Sequence, residues 1–116
     1  MNILINKMIG PRCITKEDGQ RVYEAIHENL KNSESVELDF ENVSQFASPF
    51  FNFAIGQLLK DIKEDGLRKL LQIKNMDKAG RLVVERVMEN AARYHGNEDY
   101  KKIVDEILAQ QAEGVE

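Results

Sequence analysis

The sequence predicts an α/β fold, a β-α-β-α-β-α-α sandwich in which helices pack against a small, mostly parallel sheet. Stretches with helical spacing of apolar residues alternate with short apolar runs of the kind that form buried strands. Strands that alternate with helices in this way favour a parallel sheet. A third observation is the stretch Val43–Leu59, which carries no charge in a chain that is 31% charged. We expect the fold to form around this stretch.

Length and composition indicate a single domain over residues 1–116, with a frayed tail at 110–116. A net charge of −4 offers no basic field for nucleic acid or an anionic membrane. There is no run of about 18 apolar residues that would predict a transmembrane helix, and the start lacks a signal-peptide pattern. The single cysteine, Cys13, fits a reducing compartment. We therefore expect a cytoplasmic protein.

Local patterns place the elements in order. Strands are predicted at Asn2–Ile9, Val36–Phe40 and Leu67–Lys74, and Arg12–Ile14 is either a short return strand or a loop. Helices are predicted from Thr15, as N-cap, to about Lys31, from Pro49 to Glu64, from the cap Asn75–Asp77 to His95–Gly96, and after Asn97. Within them, we expect Gly19 to allow close approach to the sheet and Gly66 to cap the second helix.

The second helix has a clear start and two faces. Ser48 is a preferred N-cap residue, and Pro49 suits the first helical position. At about 100° per residue, a stripe of apolar side chains falls on one face and predicts the core side; it consists of Phe51, Ile55, Leu58 and Ile62. Phe53 lies opposite this stripe and Phe50 at its edge. Phe53 is covered by another segment, forms part of a partner surface, or is exposed by chance.

Ser48 has a second interpretation. A phosphate on its hydroxyl would bring about −1.5 to −2 charges to the positive end of a helix, where negative charge is stabilised. Ser48 is therefore a candidate phosphoacceptor as well as a candidate cap.

The segment from Leu38 to Leu59, LDFENVSQFASPFFNFAIGQLL, resembles the strand–loop–helix signature of STAS domains, the anti-sigma-factor-antagonist fold. It is most similar to a STAS-like subgroup of unknown function. On this resemblance, Ser48 falls on the first serine of the antagonist motif and Gly56 on its later glycine. The phosphorylated second serine falls on Pro49, and Ala47 replaces the preceding acid. This departure from the motif argues against the usual serine switch and makes Ser48 a substitute candidate.

The resemblance implies a non-enzymatic regulatory module whose partner is an anti-sigma factor or a GHKL-type ATPase or kinase. The loop and first turns of the second helix would dock that partner. The predicted partner-binding residues are Ser44, Gln45, Ser48, Pro49, Phe50, Asn52 and Phe53. Three alternatives stay open: a sensor of a nucleotide or other anion, a small enzyme, and a homodimer.

Other patterns predict no catalytic residue, cofactor or metal. His27 and His95 lack metal-ligand spacing, and no glycine-rich phosphate loop is present. Cys13 beside Arg12 is a weak candidate for a reactive thiol, and Asp39 with Glu41 for an acid pair. We expect both to be structural.

Overall fold

The structure is a computed structural model, and it describes residues 1–96. The strands are β1 (Asn2–Leu4), β2 (Arg12–Cys13), β3 (Val36–Asp39), β4 (Gln45–Phe46) and β5 (Leu71–Lys74). The helices are α1 (Ile5–Ile9), α2 (Lys16–Lys31), α3 (Ser48–Ala54), α4 (Glu64–Leu70) and α5 (Lys78–Gly96), and a 3-10 helix spans Gly56–Lys60. The last predicted helix, after Asn97, and the predicted frayed tail lie outside the described residues.

The strands form two parallel sheets. The larger has the order β1-β3-β5, with Ile3, Leu38 and Ile73 in register across it. The smaller pairs β2 with β4. The predicted fold class is confirmed, because this is an α/β molecule with a small parallel sheet and helices packed against it. Across residues 1–96, no helix has the length and apolar character needed to cross a membrane.

Within residues 1–96, the larger sheet has one apolar, buried face and one polar face. Val36 and Leu38 of the central strand are fully buried, whereas Glu37 and Asp39 face the other side. On that side the Lys74 ammonium lies 2.8 Å from the Glu37 carboxylate, and the Asn2 amide donates to the same carboxylate. A parallel sheet is usually covered on both faces. Here the alternation of β3 follows from a polar second face.

Two predicted strands are shorter than expected. The first ends at Leu4, because Ile5, Met8 and Ile9 have the i, i+3, i+4 spacing of a helix and form α1. The prediction of a strand over Leu67–Lys74 is wrong for its first half, where α4 continues to Leu70. In both stretches a helix is joined directly to a strand. Because apolar residues continue through the junction, the sequence pattern does not show where one element ends and the other begins.

The second predicted helix is divided. It ends as α3 at Ala54, and the chain continues as the 3-10 helix and then as α4. Gly66 lies inside α4 and caps nothing, so that prediction was wrong. The predicted core face is nevertheless correct. Phe51, Ile55 and Leu58 are completely buried.

The first long helix forms as predicted. Thr15 caps α2 by accepting a hydrogen bond from the Asp18 backbone N–H at 3.2 Å. Gly19 does permit a close approach, but its neighbour is helix α3. A Cβ at this position would lie 2.3 Å from the Phe50 carbonyl oxygen. The absence of a side chain at Gly19 therefore sets how closely α2 and α3 pack.

Candidate functional site: the β4–α3 surface

The small β2–β4 sheet places the predicted docking loop. Arg12 pairs with Gln45, and Cys13 with Phe46. The first pair is exposed, whereas Cys13 is fully buried and Phe46 is partly buried. Two further backbone bonds extend the pairing, from the Ser44 N–H to the Pro11 carbonyl at 2.8 Å and from the Ala47 N–H to the Cys13 carbonyl at 2.9 Å. The loop is thus tied to β2 along its length.

Aromatic packing anchors the same loop to the core. The Phe46 ring centroid lies 6.0 Å from those of Phe40 and Phe51. Phe50 meets Phe51 edge to face at 5.1 Å. Offset and edge-to-face pairs of this kind contribute about 0.5–1.5 kcal/mol beyond their burial. The loop and the start of α3 are therefore preorganised by the core beneath them.

Six of the seven predicted partner-binding residues are exposed, and one is not. The exposed six are Ser44, Gln45, Ser48, Pro49, Asn52 and Phe53. Phe50 is only 1% exposed, so its place in the predicted surface was wrong. Since Gly19 allows α2 to lie directly against the α3 backbone, α3 buries a second side that its own periodicity does not show.

Phe53 is 37% exposed, so no described segment covers it completely. A Cβ at Gly19 would lie 3.0 Å from the Phe53 Cβ, so the base of the Phe53 side chain lies against α2. The Gln57 side-chain amide donates to the Phe53 carbonyl at 2.8 Å and to the Gln20 side chain at 2.6 Å. These bonds hold the end of α3 to α2 and fix where Phe53 emerges.

Ser48 does not cap the helix as predicted. Helix α3 begins at Ser48 itself, Ala47 occupies the capping position, and no side chain there accepts a capping bond. Pro49 lies in the first turn, as expected. The Ser48 hydroxyl is exposed and has no hydrogen-bond partner among residues 1–96.

Ile14 is a member of this surface that the sequence interpretation missed. It follows the buried Cys13, is 39% exposed, and lies beside the point where Ala47 bonds to Cys13. Side chains alternate along an extended chain, so an inward Cys13 would have predicted an outward Ile14. We define the β4–α3 surface as the exposed residues that this geometry joins: Ile14, Ser44, Gln45, Ser48, Pro49, Asn52 and Phe53.

Three members of this surface are apolar: Ile14, Pro49 and Phe53. Pro49 and Phe53 are four residues apart on α3 and so share a helix face. Ile14 adjoins the start of that face through the Ala47–Cys13 bond. None of the seven residues is ionisable. The β4–α3 surface is therefore an uncharged patch with two large apolar side chains.

The weaker catalytic candidates have structural roles. Burial raises the pKa of the Cys13 thiol to about 12, and the nearby Asp18 carboxylate adds to the effect. The thiol is thus protonated near neutrality and a poor nucleophile. A hydrogen bond from the Asn75 amide to Asp39, with a second from the Glu41 backbone N–H, lowers the pKa of the Asp39 carboxyl. Asp39 therefore ties together the loops that follow β3 and β5.

His27, which lacks metal-ligand spacing in the sequence, has a specific partner in the structure. The His27 Nε2 lies 2.8 Å from a carboxylate oxygen of Asp61, and Tyr23 stacks on the imidazole at 4.8 Å. This contact joins α2 to the turn after the 3-10 helix. Over residues 1–96, no three His, Cys, Asp or Glu side chains are grouped as metal ligands would be.

Comparison with known proteins agrees with this geometry at the level of the family. A parallel sheet with helices against it and an anchored strand–loop–helix unit define a STAS-like α/β domain. The family model of the STAS-like domain of unknown function (DUF4325) matches residues 18–81, which is more than half of the chain. The chain belongs to this family. No curated protein and no solved structure matches it.

Proposed function

We propose that this protein is a non-enzymatic regulatory module that binds a protein partner through the β4–α3 surface. The observation that carries the proposal is the exposure of Phe53 on α3 and of Ile14 next to β2, on either side of an uncharged loop whose Phe46 packs against the core. Binding energy at protein interfaces is concentrated in a few residues, among which aromatic side chains are enriched. A preorganised site also loses less conformational entropy on binding.

The resemblance to anti-sigma-factor antagonists supports an anti-sigma factor or a GHKL-type ATPase or kinase as the partner. The exposed Ser48 hydroxyl at the edge of the surface supports its role as a substitute phosphoacceptor. A phosphate there would add about −1.5 to −2 charges to an otherwise uncharged patch. Modification would thus change which partner can dock without disturbing the core.

The proposal is tested by quantitative capture from the native cell with three chains: wild type, Phe53→Ala and Leu82→Ala. Leu82 is the matched control, since it is a large apolar residue on α5 that is 58% exposed and lies outside the surface. We expect Phe53→Ala to weaken recovery of the specific partner by about tenfold or more, the effect of losing an interface anchor. Leu82→Ala should recover it like wild type.

The intact mass of the captured chain reports phosphorylation in the same experiment. Equal recovery of every partner by Phe53→Ala and wild type would contradict the proposed surface. Both variants should retain the melting temperature of the wild type within a few degrees, because both positions are exposed.

A further inference from the structure

Two basic side chains lie beside the β4–α3 surface. Arg12 lies beside Gln45 in the β2–β4 register, and Lys16 begins α2 two residues after Ile14. Both are exposed, and neither forms an ion pair or a side-chain hydrogen bond within residues 1–96. The patch therefore has two cationic neighbours whose charges are not neutralised by another described side chain.

Helix geometry places Lys16 on the side of α2 that faces the patch. At about 100° per residue, Lys16 is roughly 60° from Gly19, which contacts α3, and it shares its face with Gln20. Gln20 bonds to Gln57, the residue one turn beyond Phe53. Lys16 thus lies on the same flank of α2 as the Gln20–Gln57 bond.

The two acids in the same turn point elsewhere. Glu17 is roughly 160° from Gly19 around the helix, on the outer side of α2. Asp18 lies toward Cys13, whose pKa it raises, and its carboxylate is 3.7 Å from the Arg21 guanidinium. A third acid, Glu24, accepts a hydrogen bond from the Gln20 side chain at 3.3 Å, and it lies about two helical turns from Lys16. Although the chain has a net charge of −4, the edge formed by Arg12 and Lys16 is basic.

From this arrangement we infer that the β4–α3 surface recognises an acidic protein segment, in which an apolar anchor contacts Phe53 and Ile14 while Asp or Glu side chains face Arg12 and Lys16. The inference rests on the proposed function and adds the chemistry of the partner. Complementary charges at the rim of an interface accelerate association and exclude like-charged competitors. An acidic segment is favoured here, and a basic one is repelled.

The test uses a display library of unbiased peptides selected on the wild-type chain, followed by affinity measurement on four variants. These are Phe53→Ala, Leu82→Ala, the double variant Arg12→Glu/Lys16→Glu and the control Lys78→Glu/Arg86→Glu. Lys78 begins α5 as Lys16 begins α2, and both double variants change the net charge equally. A glutamate at either helix start is compatible with folding, because acids are favoured there.

We expect the selected peptides to combine apolar residues with an excess of Asp and Glu, and their binding to weaken with added salt. The Arg12→Glu/Lys16→Glu variant should bind these peptides about tenfold more weakly than wild type, and the control double variant should lose much less affinity. Replacing the acids in a selected peptide by Asn and Gln should weaken binding similarly.

Three outcomes overturn the inference separately from the proposed function. Peptides that need Phe53 but show no acidic excess, or that bind both double variants equally, would refute the acidic partner and leave the docking surface intact. An absence of any enriched peptide would also refute it. Peptides that bind Phe53→Ala as tightly as Leu82→Ala would instead contradict the surface itself.

Discussion

The contrast between Phe50 and Phe53 shows how single residues divide the hydrophobic stretch between core and surface. Both belong to a segment with no charge, yet one is fully buried and the other is 37% exposed. Helix α2 approaches both residues at Gly19, where a Cβ would lie 2.3 Å from the Phe50 carbonyl oxygen and 3.0 Å from the Phe53 Cβ. Periodicity on α3 alone could not predict this, since the information is held thirty residues earlier in the chain.

Cys13 provides a test of burial at the residue scale. We expect native Cys13 to react with an alkylating reagent far more slowly than an exposed cysteine introduced by Ile14→Cys in a Cys13→Ala background. The reason is that burial raises the pKa of the Cys13 thiol from 9.0 to about 12, and the thiolate is the reactive form. Rates of modification measured by mass spectrometry at pH 8 would show the difference.

The same rise in the pKa of the Cys13 thiol makes the free energy of unfolding depend on pH. An unfolded chain ionises this thiol above about pH 9, whereas the folded chain keeps it protonated until about pH 12. Its contribution to the free energy of unfolding is therefore complete below pH 9 and is lost progressively as the pH rises from 9 to 12. Rapid alkylation of the native wild-type chain at pH 8 would contradict the buried position of Cys13.

At the scale of elements, the contact between α2 and α3 is the most sensitive to substitution. Gly19→Ala would place a Cβ 2.3 Å from the Phe50 carbonyl oxygen, so one helix must move. Overpacking of this kind typically costs about 1–3 kcal/mol. We expect a lower free energy of unfolding in urea and greater exposure of the α3 backbone to hydrogen exchange.

Gly66→Ala is the matched control for that substitution. Gly66 lies in α4, and a Cβ there would have no atom within 4 Å. Since alanine is favoured over glycine in helices by about 1 kcal/mol, this variant should be as stable as wild type or more stable. A Gly19→Ala chain that matched Gly66→Ala in stability would show that α2 and α3 are not in close contact.

The boundaries of helices and strands were harder to predict than which of their faces is buried. In Leu67–Lys74, Leu67, Leu70 and Leu71 have helical spacing, whereas Leu71 and Ile73 have strand spacing, so the stretch carries both patterns. The core face Phe51, Ile55 and Leu58 was nevertheless predicted correctly across the change from α3 to the 3-10 helix. Residues i and i+3 share a face in both an α-helix and a 3-10 helix, so Ile55 and Leu58 remain on the core side.

For the molecule as a whole, the one-sided sheet has a polar face that is separate from the proposed docking site. Helices cover the apolar face, and the opposite face carries the Glu37–Lys74 ion pair and other polar groups. The β4–α3 surface lies apart from that polar face, on the small second sheet and the helix that follows it. The sequence could predict this loop because its lack of charge is local, but Ile14 and the basic edge depend on the β2–β4 pairing.

The central claim, that the β4–α3 surface is the docking site, is tested most directly by hydrogen exchange of the chain alone and with its captured partner. We predict that binding slows amide exchange in residues 44–57 and at Ile14, and leaves the outer part of α5 around Leu82 unchanged. Protection confined to α5 or to the open face of the β1-β3-β5 sheet, with residues 44–57 exchanging as before, would contradict the claim.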